Sequence, residues 1–356
     1  MSKMKAAVIY GEKDLRIEEV DVKNVENGQV KVKVGWAGIC GSDLHAFNHG
    51  LALAYDEHPL TKDKTPLVLG HEFSGTVEEI GNGVTSVAVG DKVAIEPMLY
   101  CGECEPCCTG KYNLREVSNV GFYGLAGDGG FAEYFVAEEK YFHKLPENVS
   151  LEEGALVEPT AVAFHAVGLS GLKAGQTAAI YGAGPIGLLT LLCAQAYGAA
   201  ETFVIDLSQE RLDKAKELGA THVINAGDAD AVKKIMEVTE NRGVDVAFEV
   251  AGANPTFNSA VHSIKRAGVV QVIAGFGGEV SFNPNDLLSI EGQIKFSLAY
   301  AHDYKPVIKA IAEGNLDVLK VVTNRISLDD VVKDGIELLN TDKSQAKVLI
   351  SPNGEA

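Results

Sequence analysis

Basic residues are scarce in this chain: 31 lysines and arginines stand against 49 aspartates and glutamates, a formal net charge of −18. Nucleic acids and anionic membrane surfaces are recognised through basic patches, so neither is expected as a partner. Long apolar runs are missing as well. The longest, Pro185 to Ala194, falls far short of the roughly 20 residues that span a bilayer. No secretory leader is expected, because the short apolar run after Met1-Ser2-Lys3-Met4-Lys5 breaks at Gly11 and Glu12. Internal repeats and low-complexity tracts are also absent. Cysteines are few, and four of the six crowd into Cys101–Cys108. That crowding argues against a dispersed disulfide framework and for metal binding in a cytoplasmic protein. What remains is an ordinary globular composition, 46% hydrophobic and 22% charged, over 356 residues, a length that implies two domains.

Past mid-chain, Ile180-Tyr181-Gly182-Ala183-Gly184-Pro185-Ile186-Gly187 joins a strand-length apolar run, Thr177 to Tyr181, to a helix-period segment reaching about Tyr197. Strand, tight turn and helix N-terminus in succession make a dinucleotide-binding turn. The first glycine permits the turn, the second lets the backbone approach a pyrophosphate, and the third lets helix pack on strand. A second short strand, Thr202 to Ile205, ends in Asp206, whose carboxylate suits an adenosine ribose and repels the 2′-phosphate of NADP. NAD is therefore the expected cofactor, held at Gly182, Gly184, Pro185, Ile186, Gly187 and Asp206. Arg211, one helical turn further on, either flanks the adenine or is a solvated helix residue.

Strands and helices then alternate. Helices are expected over Gln209–Leu218, Ala229–Glu240 and Thr256–Arg266, and strands over His222–Asn225, Val244–Glu249 and Val269–Ala274. Such βα alternation implies a doubly wound α/β domain with a parallel sheet covered on both faces. Val250 and the Ala274–Phe276 stretch follow successive strands and so fall on the carboxyl edge. The amino-terminal half reads differently, as a mainly β region in which Ala6–Tyr10, Leu15–Val20 and Val30–Gly35 are strands. Into it are set Cys40, Ser42 and His45 within six residues, then His71-Glu72, and finally Glu158. One cysteine, one histidine and one glutamate from three stretches match a catalytic zinc site, which uses three protein ligands and leaves one position open. Cys193 reads as core, and His143, His165, His222 and His262 as structural. His49 and His58 read as surface-loop residues that rim the pocket at most.

Gly70-His71-Glu72-x-x-Gly75-x-x-x-x-x-Gly81-x-x-Val84 resembles the signature of the zinc-containing alcohol dehydrogenases, within the medium-chain dehydrogenase/reductase superfamily. Gly90-Asp91-Lys92-Val93 and Val157-Glu158-Pro159 sit where that family has similar segments, so the resemblance covers essentially the whole chain. It implies a GroES-like catalytic domain over residues 1–157 with 299–356, and a Rossmann NAD-binding domain over 158–298. It further implies that Cys40, His71 and Glu158 hold a catalytic zinc, with Glu72 a ligand or a supporting group. Ser42 and His45 would relay the proton, and Val250, Ala274 and Phe276 would flank the nicotinamide ribose. Within the family the chain most resembles the 2,3-butanediol dehydrogenase branch, with sorbitol-type polyol dehydrogenases next and threonine 3-dehydrogenase further off. The substrate implied is a small diol or hydroxyketone, and the assembly a homo-oligomer, dimer or tetramer.

The family's second, structural zinc takes four cysteines spaced x2, x2 and x7. Cys101, Cys104 and Cys107 resemble the first three, but Arg115 stands at the fourth position. A guanidinium is always protonated and cannot ligate, and the adjacent Cys108 reaches the same ion only with strain. A second zinc is left open.

Overall fold

The computed structural model describes residues 2–50, 52–115 and 121–354. From the amino end run β1 (Lys3–Gly11), β2 (Asp14–Asp21), β3 (Gln29–Gly38), α1 (Gly41–His49), β4 (Leu67–Val68), β5 (Glu72–Ile80) and β6 (Lys92–Ile95). The short helix α2 (Glu105–Cys108), β7 (Tyr134–Glu138), β8 (Phe142–Lys144) and α3 (Leu151–Ala155) follow. The alternating region comprises α4 (Val157–Ser170), β9 (Thr177–Tyr181), α5 (Pro185–Ala196), β10 (Glu201–Asp206), α6 (Gln209–Glu217), β11 (His222–Asn225) and α7 (Ala231–Val238). It continues through β12 (Val244–Glu249), α8 (Asn254–Ser263), β13 (Ile264–Val272), α9 (Pro284–Leu288) and β14 (Gln293–Phe296). The chain closes with α10 (Tyr304–Ala312), β15 (Val322–Ser327), α11 (Leu338–Thr341) and β16 (Lys347–Ser351).

Two compact units result: Met1–Glu158 with Tyr304–Gly314 and Val322–Ala356, and Pro159–Asp303 with Asn315–Val321. Residues 299–303 and 315–321 thus group with the second unit, where the turn Val318–Val321 packs on α5. In the first unit a seven-stranded sheet runs β15-β16-β3-β5-β6-β8, with β7 also pairing β3. β3 shows why: Val30, Val32 and Val34 are fully buried, while Lys31 and Lys33 alternate to the other face. In the second unit a six-stranded parallel sheet has the order β11-β10-β9-β12-β13-β14, a doubly wound topology that reverses between β9 and β12. Helix α5 is apolar nearly all round and is buried from Gly187 to Ala194, as a helix central to such a layer must be.

Three local features depart from the simple pattern. Gly41–His49, set in the mainly β half, is helix α1. The helix expected over Thr256–Arg266 stops at Ser263, and β13 starts at Ile264. The segment 328–338 is helical but not α-helical, a 3₁₀ turn at Leu328–Asp330 followed by a π-helical stretch, Val331–Glu337. Among the described residues, no helix is long and apolar enough to cross a membrane.

Candidate active site

Cys40 is the N-cap of α1, with extended backbone at φ −101° and ψ 159°. Asp43, three residues on and fully buried, closes the cap: its Oδ2 accepts from Cys40 N–H at 2.9 Å. Its Oδ1 faces His71 Nδ1 at 3.4 Å, an electrostatic attraction without hydrogen-bond geometry. On the other side of the ring, His71 Nε2 lies 3.1 Å from Ser42 Oγ. Burial opposes a charge on His71, but Asp43 and Cys40 outweigh it and hold the imidazole pKa well above its ordinary value.

Glu72, the first residue of β5, is fully buried, and both its oxygens accept from Lys347 Nζ, at 2.8 and 2.7 Å. Lys347 is itself 1% exposed and also donates to Ile39 O at 3.0 Å. A Cβ at position 38 would collide with Glu72 Oε2, so a side chain there would displace the carboxylate that Lys347 holds. Ligating atoms of Cys40, His71 and Glu72 all lie within 4.8 Å of one another. Glu158, 5% exposed on the first turn of α4, is not in that group, although its charge reaches Lys347. His45 stands one turn after Ser42 on α1 and is exposed, its ring 6.3 Å from that of His49. His58, expected in a surface loop, is instead buried at 2% exposure.

The donor set fits a zinc ion. A thiol, an imidazole and a carboxylate converge, the donor types that zinc takes. Sequence reasoning missed two residues. Asp43 carried a signal, because Cys-x-x-Asp at a helix start is a capping pattern. Lys347 carried none, lying 275 residues from its partner.

In the second unit the glycines behave as their spacing implies. Gly182 has φ 112°, and a Cβ on it would press on Ala251 N at 3.2 Å. Gly184, the N-cap of α5, faces open space, whereas a Cβ on Gly187 would overlap Gly182 O. Asp206 Oδ2 accepts from Ala183 N at 2.7 Å, and Oδ1 accepts from Leu207 N at 2.8 Å and Ser208 N at 2.9 Å. Arg211 Nη1 is 4.0 Å from Asp206 Oδ2. A cavity of about 830 Å³ is lined by Gly182, Asp206, Arg211, Ala229, Thr256 and His262 among others. Pro185, Ile186, Val250, Ala274 and Phe276 do not line it. Val250 N donates to Tyr181 O at 3.0 Å, Ala274 N to Glu249 O at 3.3 Å, and the Phe276 ring packs on Phe257. Also unforeseen is Glu249, a fully buried carboxylate at the end of β12. It accepts from Ala251 N at 3.2 Å, Gly252 N at 3.0 Å and Thr256 Oγ1 at 2.7 Å. Burial pushes its pKa up.

The cysteine lobe differs from the zinc site. The sulfurs of Cys101, Cys104 and Cys107 lie within 4.8 Å of one another. Cys108 turns away, its thiol on Gly102 O and Glu103 O at 3.5 and 3.4 Å. The Arg115 guanidinium packs over Gly121 and acts electrostatically on Cys107, Cys101 and Cys104, while its Nε has no hydrogen-bond partner. N–H groups of Cys104 and Glu103 draw the Cys101 thiol down to about 7, and burial pushes Cys107 up to about 11. A permanent cation beside three sulfurs is no fourth donor, so the described residues do not fit a tetrahedral structural zinc.

Two family models match the chain: the alcohol dehydrogenase GroES-like domain over residues 26–147, and the zinc-binding dehydrogenase domain over residues 185–313. The chain is 43% identical to an (R,R)-butanediol dehydrogenase of Bacillus subtilis (strain 168), over 98% of this chain and 100% of that protein. It is 36% identical to a sorbitol dehydrogenase of the same organism, over 98% of both. A crystal structure of 2R,3R-butanediol dehydrogenase from Bacillus subtilis superimposes with a TM-score of 0.93 at 43% identity, over 98% of this chain and 100% of that one. A short chain alcohol dehydrogenase from E. coli CFT073 complexed with NADH has a TM-score of 0.88 at 31% identity, covering 99% and 100%. A zinc-binding dehydrogenase from Sinorhizobium meliloti 1021 bound to NADP has 0.90 at 31% identity, also covering 99% and 100%. The chain belongs to the family of zinc-dependent, GroES-like alcohol dehydrogenases.

Proposed function

We propose that the protein is an NAD-dependent dehydrogenase that interconverts 2,3-butanediol and acetoin. The convergent Cys40, His71 and Glu72 cluster carries the reading, in a chain 43% identical over 98% of its length to an (R,R)-butanediol dehydrogenase. Cys40 and His71, with Glu158 or Glu72, would hold a zinc ion, which would supply the Lewis acidity that lowers the pKa of an alcohol oxygen. The Gly182–Gly187 turn would hold NAD, which when bound would supply the hydride acceptor. Asp206 at the end of β10 supports NAD over NADP, since a 2′-phosphate would meet a carboxylate.

The chain's own residues handle the proton. Ser42 Oγ lies 3.1 Å from His71 Nε2, the ring nitrogen left free by Asp43 to hold the zinc, and so stands beside the metal position to take the proton that leaves the substrate hydroxyl. His45, exposed one turn along α1, passes it to water. Asp43 holds both the Cys40 end of the helix and the Nδ1 edge of His71. Lys347 occupies both Glu72 oxygens, which favours a supporting role for Glu72 and leaves the third ligand to Glu158.

The assay that tests this reading measures NADH formation with each 2,3-butanediol stereoisomer, sorbitol, xylitol and threonine. Butanediol should give the highest kcat/KM. The 36% identity to a sorbitol dehydrogenase favours a polyol as second reading, and a sorbitol or xylitol preference would establish it instead.

The proposal includes a homo-oligomer. β14 is an edge strand of the parallel sheet; its last residue Phe296 and Leu298 just beyond it are 70% and 61% exposed. It also includes a cytoplasmic location, supported by six free cysteines, which a reducing compartment maintains.

A further inference from the structure

We propose that Cys101 and Cys107 are a reversible dithiol–disulfide pair, closed by exchange with a low-molecular-weight disulfide in a lobe that holds no metal. Their sulfurs are 3.8 Å apart, and both residues are only half-buried. Gly102, at φ 76°, turns the chain just after Cys101, and α2 presents Cys107 back toward it. Bond formation requires the sulfurs to close to about 2.0 Å, a movement within the reach of side-chain rotation. The features that deny the lobe a tetrahedral ion, the Arg115 guanidinium and the averted Cys108, also leave the three thiols uncommitted. Cys101 is the attacking group, because Cys104 N–H donates to its sulfur at 3.4 Å and so favours the anion.

The exchange balances. The Cys101 thiolate attacks one sulfur of the small disulfide, whose S–S bond breaks and releases one small thiol. Cys107 then gives up its proton to water and attacks Cys101 Sγ, expelling the second small thiol. Two protein thiols are oxidised to one disulfide, and one small disulfide is reduced to two thiols.

The experiment uses the full-length, zinc-loaded protein, treated with oxidised glutathione and digested without reduction by a glutamate-specific protease. Cleavage after Glu103 separates Cys101 from a peptide that carries Cys104, Cys107 and Cys108, since the Glu105–Pro106 bond resists the protease, and the serine variants assign which of the three is linked. The expected product is the Cys101 peptide linked to the Cys107 peptide. It should persist in Cys108→Ser and Cys104→Ser and be lost in Cys101→Ser and Cys107→Ser, with zinc constant at one per chain throughout. A second zinc that is released by oxidation or by Cys104→Ser would overturn the proposal, as would a stable mixed disulfide or a bridge to Cys104 or Cys108. No readout depends on NADH formation, so the outcome stands apart from the choice of substrate.

Discussion

Lys347 is an ammonium group nearly without water, and its hydrogen bonds go to Glu72 Oε1, Glu72 Oε2 and Ile39 O. Desolvation works against its charge, but Glu72, then Cys40 and Glu158, outweigh it and raise its pKa. Each charge is tolerated because the other is present. Replacing Lys347 by Met leaves Glu72 buried and uncompensated. We expect a loss of about 3–5 kcal/mol in unfolding free energy by urea denaturation, and a smaller one for Lys347→Arg. A Lys347→Met loss under about 1 kcal/mol would mean that water reaches Glu72. Cys40→Ala should lower the zinc content of the purified protein while leaving NADH binding largely intact, as metal analysis and fluorescence titration can check. Unchanged zinc would place the ion elsewhere. Cys40, His71 and Glu72 were legible because they sit in short patterns of ligand-type residues. Asp43 was overlooked in the same stretch, where its neighbours Ser42 and His45 drew the functional reading.

At the scale of elements, β9 and β12 are held at their starts by one side chain. Asp245 accepts from Thr177 N at 2.9 Å and Thr177 Oγ1 at 2.8 Å and pairs with Lys265. Burial would raise its pKa, but the hydrogen bonds from Lys265 and Thr177 prevail and hold it below the ordinary carboxylate value. A depressed native pKa stabilises the fold above the unfolded value of about 3.9, and this contribution is lost as pH falls through the native pKa. Asp245→Asn should therefore be less stable than the parent at neutral pH, with the gap narrowing in acid below about pH 4. A gap independent of pH in thermal melts would refute the charge argument. The alternating elements of this unit were legible since strands and helices announce themselves by period and by terminal glycines, as at Gly219 and Gly243. α1 was not. Gly41, Ser42, Asp43 and Asn48 are turn-favouring types, and tertiary burial of Ala46 and Phe47 overrides that preference.

For the molecule as a whole, the β14 edge and its exposed Phe296 make a definite expectation. Sedimentation should give a dimer or tetramer for the parent chain, and Phe296→Lys should shift it toward monomer without changing the fold. A monomeric parent would remove that part of the proposal. The two units also differ in how far they could be read. In the second, β9 to β13 were foreseen but α4, α9 and β14 were not, because the foreseen part of a parallel βα fold is written in neighbours: a strand, a glycine turn, a helix, and an acidic residue closing the next strand. The same local patterns were enough to select the ligand types of the first unit and the glycines of the cofactor turn. Only the tertiary structure decided that Glu72 belongs to Lys347, that Asp43 bridges Cys40 and His71, and that Arg115 faces three sulfurs. Those outcomes depend on which charges lose their water together, and desolvation is set by packing between distant segments rather than by residue order.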